Sequence, residues 1–153
     1  AVTSYAKSGG YVLGICNGFQ MLLEMNLLPG AMKRNSNVHF ISKYHHLKVE
    51  SNDNQFLRHL KVGQIVNIPI AHGEGNYFID EDGLQELKSN NQIILTYCDA
   101  SGSALNPNGS VGNIAGICNI NKNVFGLMPH PERAIEKVLG SNDGLAMLEG
   151  FVA

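Results

Sequence analysis

The sequence has no surplus of basic charge, no long apolar run and no paired cysteines. Lys and Arg total 11 against 13 Asp and Glu, a net of −2. Without a basic stripe, nucleic acid is not an expected partner. No stretch approaches the ~18 consecutive apolar residues that a membrane-spanning helix needs, so no membrane partner is expected either. Cys16, Cys98 and Cys118 are an odd number with no C-x-x-C spacing, which fits neither a disulfide framework nor a Cys-rich zinc site. No His/Cys spacing suggests a metal, and none is expected. Free thiols suit a reducing cytoplasm, and the first residues lack the apolar stretch of a signal peptide. Neither G-x-G-x-x-G nor a Walker sequence occurs, so no nucleotide site is visible.

What remains is one domain's worth of chain. The 153 residues are 44% hydrophobic and 16% charged, which excludes disorder and suffices for a single core over residues 1–153. No internal repeat and no linker interrupts them. The opening has no initiator Met and reads Ala1 to Gly10 like the last turns of a helix with a Gly cap, from which upstream sequence is expected.

Tyr11 to Ile15 is short, apolar and bounded by glycines, as a buried strand is. Asn17 to Asn26 carries Phe19, Leu22, Leu23 and Met25 at helical spacing, stopped by Pro29-Gly30. Cys16 therefore falls at a strand-to-helix junction. Residues 31–46 are mixed and mildly basic. Strands are predicted over Leu47 to Glu50, Val66 to Ala71 (with Pro69 marking an edge), Tyr77 to Ile79 and Gln92 to Tyr97. Residues 56–60 suggest a short helix, and Asp82 to Asn90 a longer one. Ile114 to Cys118 and Val124 to Met128 read as a hairpin turning at Asn121 to Asn123. Glu132 to Leu139 reads as a helix closed by Gly140, and Asp143 as the cap of a final one. The mixture predicts an α/β fold with a mainly parallel sheet and an antiparallel flap.

Gly14-Ile15-Cys16-Asn17-Gly18 is a G-x-C-x-G sequence in that junction, the cysteine version of a nucleophile elbow. A sharp turn with small neighbours would lift the thiol above the sheet edge. The helix N-terminus would favour thiolate, and the Asn17 N–H would face a developing oxyanion. The plainer alternative is an inert cysteine between packing glycines.

A thiolate nucleophile needs an imidazole and a group to orient it. Two sequences of the same form offer both: His72-Gly73-Glu74 and His130-Pro131-Glu132. On extended backbone, positions i and i+2 share a face. Pro131 gives the second better pre-organisation, but either pair could be a solvated strand end. Cys98 and Cys118 read as core residues, and His39, His45, His46 and His59 as surface.

Gly14 to Gln20 together with Met128-Pro129-His130-Pro131-Glu132-Arg133-Ala134 resembles the class I (triad) glutamine amidotransferases. Ala71 to Asn76, Leu28-Pro29-Gly30, Ile114-Ala115-Gly116 and Asp143-Gly144 resemble, more narrowly, the glutaminase subunits of phosphoribosylformylglycinamidine synthases, enzymes of purine synthesis. The resemblance runs over nearly the whole chain. It implies the flavodoxin-like amidotransferase fold with helices on both sheet faces, and a Cys16–His130–Glu132 triad hydrolysing glutamine through a thioester. It also implies an oxyanion donor at Asn17 and substrate contacts at Gln20, Gly73 and Glu74. Ammonia would pass to a large synthetase subunit, with a small third subunit bridging the two. ATP and Mg would belong to the synthetase, leaving this chain without a cofactor. The family has a further N-terminal stretch, about half this chain's length for a full doubly wound sheet, which supplies early strands and a Gly-rich loop. A free-standing γ-glutamyl hydrolase or peptidase, and a non-catalytic scaffold, remain competing readings.

Overall fold

The computed structural model describes residues 1–152. Helix α1 (Val2–Lys7) ends at Ser8 and turns at Gly9, whose φ of 91° only glycine adopts readily. Strand β1 (Val12–Ile15) leads through Cys16 into α2 (Asn17–Glu24). β2 (Ala31–Lys33) pairs with β5 (Asn76–Phe78) in a small two-stranded sheet. The main sheet holds β3 (Ile41–Val49), β4 (Ile65–His72), β6 (Ile93–Cys98), β7 (Ile114–Cys118) and β8 (Val124–Leu127), in the order β1-β8-β7-β6-β3-β4. α3 (Glu81–Ser89) precedes β6, and α4 (Asp143–Leu148) is followed by a 3-10 turn, Glu149–Phe151.

Helices cover both faces, as the α/β class requires. On one, Ala6, Phe19, Leu22, Leu23, Leu84 and Leu87 of α1, α2 and α3 pack with Ile114, Ile117 and Val124. On the other, Met147 of α4 and Phe56, Leu57 and Leu60 pack with Leu47, Ile68, Leu95 and Phe125. α2 lies close because Gly126 has no side chain: a Cβ there would come within 2.3 Å of the Phe19 ring.

The expectation of a mainly parallel sheet is corrected. Only β1 and β8 run parallel, and the other four pairings are antiparallel. A parallel neighbour needs a long crossover, whereas β7 and β8 are joined by a tight turn at Asn119 to Asn123. The sheet is mixed.

Other local readings also change. Residues 56–60 form turns. The stretch 132–139 is not one helix but two 3-10 turns, Pro131–Arg133 and Lys137–Leu139, because Glu136 is extended and bridges to Ser141. Asp143 lies inside α4, and its carboxylate accepts the Asn67 N–H (2.7 Å). β3 begins at Ile41, six residues before Leu47. Its first five residues pair with β4 alone, as an arm that β6 does not reach, and so carry no apolar pattern. His45 is buried, not on the surface: its Nε2 lies 2.9 Å from the Leu105 carbonyl, its ring meets the edge of Tyr97, and burial lowers its pKa. Cys98 and Cys118 are core residues as read, and burial pushes the Cys118 thiol up to about 11. β4 is a sheet edge, as Pro69 indicated.

Candidate active site

Cys16 is reached by a strand and left by a helix. Its N–H donates to the Leu127 carbonyl (2.8 Å), extending the β1–β8 ladder, and its carbonyl accepts from Gln20 in the first turn of α2 (3.2 Å). Between these constraints the backbone takes φ 53°, ψ −108°, a costly conformation for a residue with a Cβ. Gly14 is needed beneath it, since a Cβ there would lie 2.7 Å from the Gly18 backbone. The elbow is thus formed as its sequence suggested.

The half-buried Cys16 thiol donates to the Ala71 carbonyl at the end of β4 (3.7 Å). Its protonation differs from expectation. Burial raises its pKa and outweighs the Asn17 N–H and the Arg133 charge, which lower it, while Glu132 opposes ionisation. The helix end alone does not leave a thiolate; a proton acceptor has work to do.

His130 lies three residues beyond the end of β8. Its N–H donates to the Pro69 carbonyl on edge strand β4 (2.8 Å), and Pro131 opens the turn 131–133. Across that turn His130 Nδ1 lies 2.6 Å from Glu132 Oε1. The pair meets around a tight turn and not along extended backbone. With Nδ1–H donated to the carboxylate, Nε2 is a bare acceptor, buried and without a partner. α4 supports the turn from behind: the Gly144 N–H donates to the Ala134 carbonyl (2.9 Å), and a Gly144 Cβ would fall 2.0 Å from the Pro131 carbonyl oxygen.

The other His-x-Glu sequence forms no such pair. His72 Nδ1 engages Asn35 Oδ1 (3.1 Å), while the exposed Glu74 carboxylate turns towards Arg34 (3.9 Å). Burial, with a smaller contribution from the charge of His130, drives the His72 pKa down to about 4.

Cys16, Asn17, Gln20, His72, Gly73, Glu74, His130 and Arg133 line one open cleft of about 480 Å³, with Phe40 at its rim. Glu132 stands behind His130. Gln20 Nε2 donates to the Glu74 carbonyl (3.1 Å), tying α2 to the loop after β4. The structure therefore gathers every residue that the sequence singled out. Phe40 and the charge of Arg133 were not among the expected site residues, because neither bears a spacing to Cys16 that marks it. No group of three or more His, Cys, Asp or Glu is arranged for a metal ion among the described residues. Nor is any helix among them long and apolar enough to cross a membrane.

Comparison with known proteins gives a consistent result. Residues 1–144 match the family model of the CobB/CobQ-like glutamine amidotransferase domain. The chain is 64% identical over 152 residues to the phosphoribosylformylglycinamidine synthase subunit PurQ of Sulfurimonas denitrificans, covering 99% of this chain and 68% of that protein. It is 61% identical over 151 residues to the Campylobacter jejuni PurQ, covering 65% of it. Among solved structures, that of PurLQS from Thermotoga maritima superposes with a TM-score of 0.86 at 40% identity, over 99% of this chain and 65% of that one. The chain spans about two thirds of the length of these relatives.

Proposed function

Because the chain belongs to the CobB/CobQ-like glutamine amidotransferases, and within them to the PurQ glutaminase subunits of phosphoribosylformylglycinamidine synthase, we infer that its cleft hydrolyses glutamine and that Cys16, His130 and Glu132 carry the reaction. The observation that supports this best is the 2.6 Å bond from His130 Nδ1 to Glu132, which leaves Nε2 without a partner on a ring that lines the same cleft as a thiol whose pKa burial raises.

His130 Nε2 takes the Cys16 proton as Sγ attacks the side-chain carbonyl carbon of glutamine. Negative charge gathers on the carbonyl oxygen, where the Asn17 N–H at the start of α2 stabilises it. The C–N bond breaks, His130 returns the proton to the departing nitrogen, and ammonia leaves a γ-glutamyl thioester. Water, deprotonated by His130, then attacks the thioester; glutamate departs and the thiol is restored. Glu132 holds the ring in the required tautomer and stabilises the imidazolium. Gln20, Gly73 and Glu74 bound the end of the cleft that receives the amino-acid part of glutamine.

Ammonia is consumed by a synthetase subunit that aminates formylglycinamide ribonucleotide. A small third subunit joins them, as the name of the PurLQS relative suggests by analogy. ATP and Mg serve the synthetase, and this chain needs no cofactor of its own. Three free thiols fit work in a reducing cytoplasm.

Cys16→Ser in the assembled synthase tests the reading. Glutamine-dependent synthesis is expected to vanish while ammonia-dependent synthesis persists. Equal loss of both would make the thiol structural. Full glutamine hydrolysis without any partner would favour a free-standing hydrolase.

A further inference from the structure

Two buried asparagines outside the triad converge on Gly75, the residue that follows the cleft-lining segment 72–74. Asn35 lies between β2 and β3 and is 1% exposed; Asn108 lies between β6 and β7 and is 0% exposed. Asn35 Oδ1 accepts the Gly75 N–H (3.0 Å) and the His72 Nδ1–H (3.1 Å). Its Nδ2 donates to the carbonyls of His72 (2.8 Å) and His39 (2.7 Å), and its backbone N–H to that of Gly73 (2.9 Å). Both lone pairs and both amide protons of its side chain are thus in use. From the other side Asn108 Nδ2 donates to the Gly75 carbonyl (2.8 Å), with Ser110 Oγ at 3.4 Å from the same oxygen. The two loops are joined next to Asn35, where the Ser36 N–H donates to the Asn108 carbonyl (2.9 Å).

Neither asparagine lines the cleft, but Asn35 holds His72 and Gly73, which do, and both grip Gly75, next in the chain to the cleft residue Glu74. Gly75 is where the grip closes. A Cβ there would lie 2.3 Å from the His72 ring, so the ring seats directly on its backbone. A loop needing only an anchor could use water or one bond; here both polar atoms of one peptide residue are taken by side chains that water does not reach.

We propose that Asn35 and Asn108 are positioning residues for glutamine, gripping the N–H and the carbonyl of Gly75 so that residues 72–74 form a rigid wall for the amino-acid end of the substrate. This rests on the glutaminase reading above. Neither asparagine touches the reacting atoms, so loosening the wall weakens binding and leaves the thiol chemistry in place.

The test uses Asn35→Ser and Asn108→Ser, separately, in the assembled synthase. Each is expected to raise KM for glutamine about tenfold, with kcat changing less than about threefold. Alkylation of Cys16 by iodoacetamide keeps its rate. Amide exchange at Gly75 is expected to speed up in Asn35→Ser. Asn123→Ser is the control: another buried asparagine, which donates to the Ala6 and Gly10 carbonyls away from the cleft. It should lower the melting temperature without moving KM. An unchanged KM, a kcat loss at constant KM, unchanged Gly75 exchange, or an Asn123→Ser variant with the same KM rise would each overturn the proposal. A Cys16→Ala protein that still hydrolyses glutamine sinks the glutaminase reading instead, and the substrate role of the asparagines with it; Gly75 exchange in Asn35→Ser then still reports whether the grip exists.

Discussion

The Nδ1 atom of His130 lies 2.6 Å from Glu132 Oε1, across a turn that Pro131 opens and Gly144 supports from behind. This contact fixes which ring nitrogen carries the proton. It leaves the other buried and unpartnered, as the proposed mechanism requires of its base. Removing the carboxylate charge should therefore act on chemistry more than on binding. Glu132→Gln is expected to lower kcat for glutamine hydrolysis by roughly 10²–10⁴-fold with KM little changed. Steady-state kinetics of the assembled enzyme measure it; an unaltered kcat would remove Glu132 from the triad.

The Cys16 thiol titrates above its ordinary value because burial outweighs its stabilising neighbours, of which Arg133 is one. Arg133→Gln removes a positive charge that favours thiolate, so the pKa should rise further. The expected outcome is an iodoacetamide alkylation profile displaced to higher pH, with slower labelling at pH 7 than in the parent. A displacement to lower pH would show that Arg133 does not act on the thiol by charge.

His72 is buried neutral, with a pKa lowered from 6.5 to about 4. Between those two values the unfolded chain binds more protons than the folded one, so stability rises with pH across that window. It is complete above about 6.5 and falls as pH drops towards 4, by at most about 3 kcal/mol. Urea unfolding at pH 4.5, 5.5 and 7 should show this slope, and His72→Gln should flatten it. Equal slopes in the two proteins would contradict the buried neutral ring.

Gly14 and Gly144 are close-packing positions beneath the elbow and the His130 turn. Gly14→Ala would press a methyl against the Gly18 backbone, and Gly144→Ala one against Pro131. Each is expected to destabilise the fold by about 1–3 kcal/mol. Gly144→Ala should also lower kcat, because displacing Pro131 moves His130 relative to Glu132. Chemical denaturation and glutaminase assays on the same samples check both effects. A Gly144→Ala enzyme with full activity and unchanged stability would show that the turn does not depend on this contact.

Features that depend on neighbours in the chain were legible without coordinates. The elbow follows from small residues at positions 14 and 18 between an apolar strand and an amphipathic helix, and Pro69 marked an edge strand because it has no N–H to donate. Other readings failed where distant partners decided. The β3 arm has no alternation because β6 stops at His46. The stretch 132–139 has helical spacing but buries only Ala134, so nothing rewards a helix.

By itself the sequence determined that a cysteine stands on a strained bend between strand and helix, and that two His-x-Glu segments compete to serve it. Pro131 and the family resemblance already favoured the second; the tertiary structure shows what separates the two. Asn35, remote in the chain, takes the His72 ring nitrogen, and the Pro131 turn delivers Glu132 to His130. The protonation of the thiol was also decided in three dimensions. The helix end is a local property of the chain, but burial depends on everything that closes around the sulfur, and here burial is the larger effect.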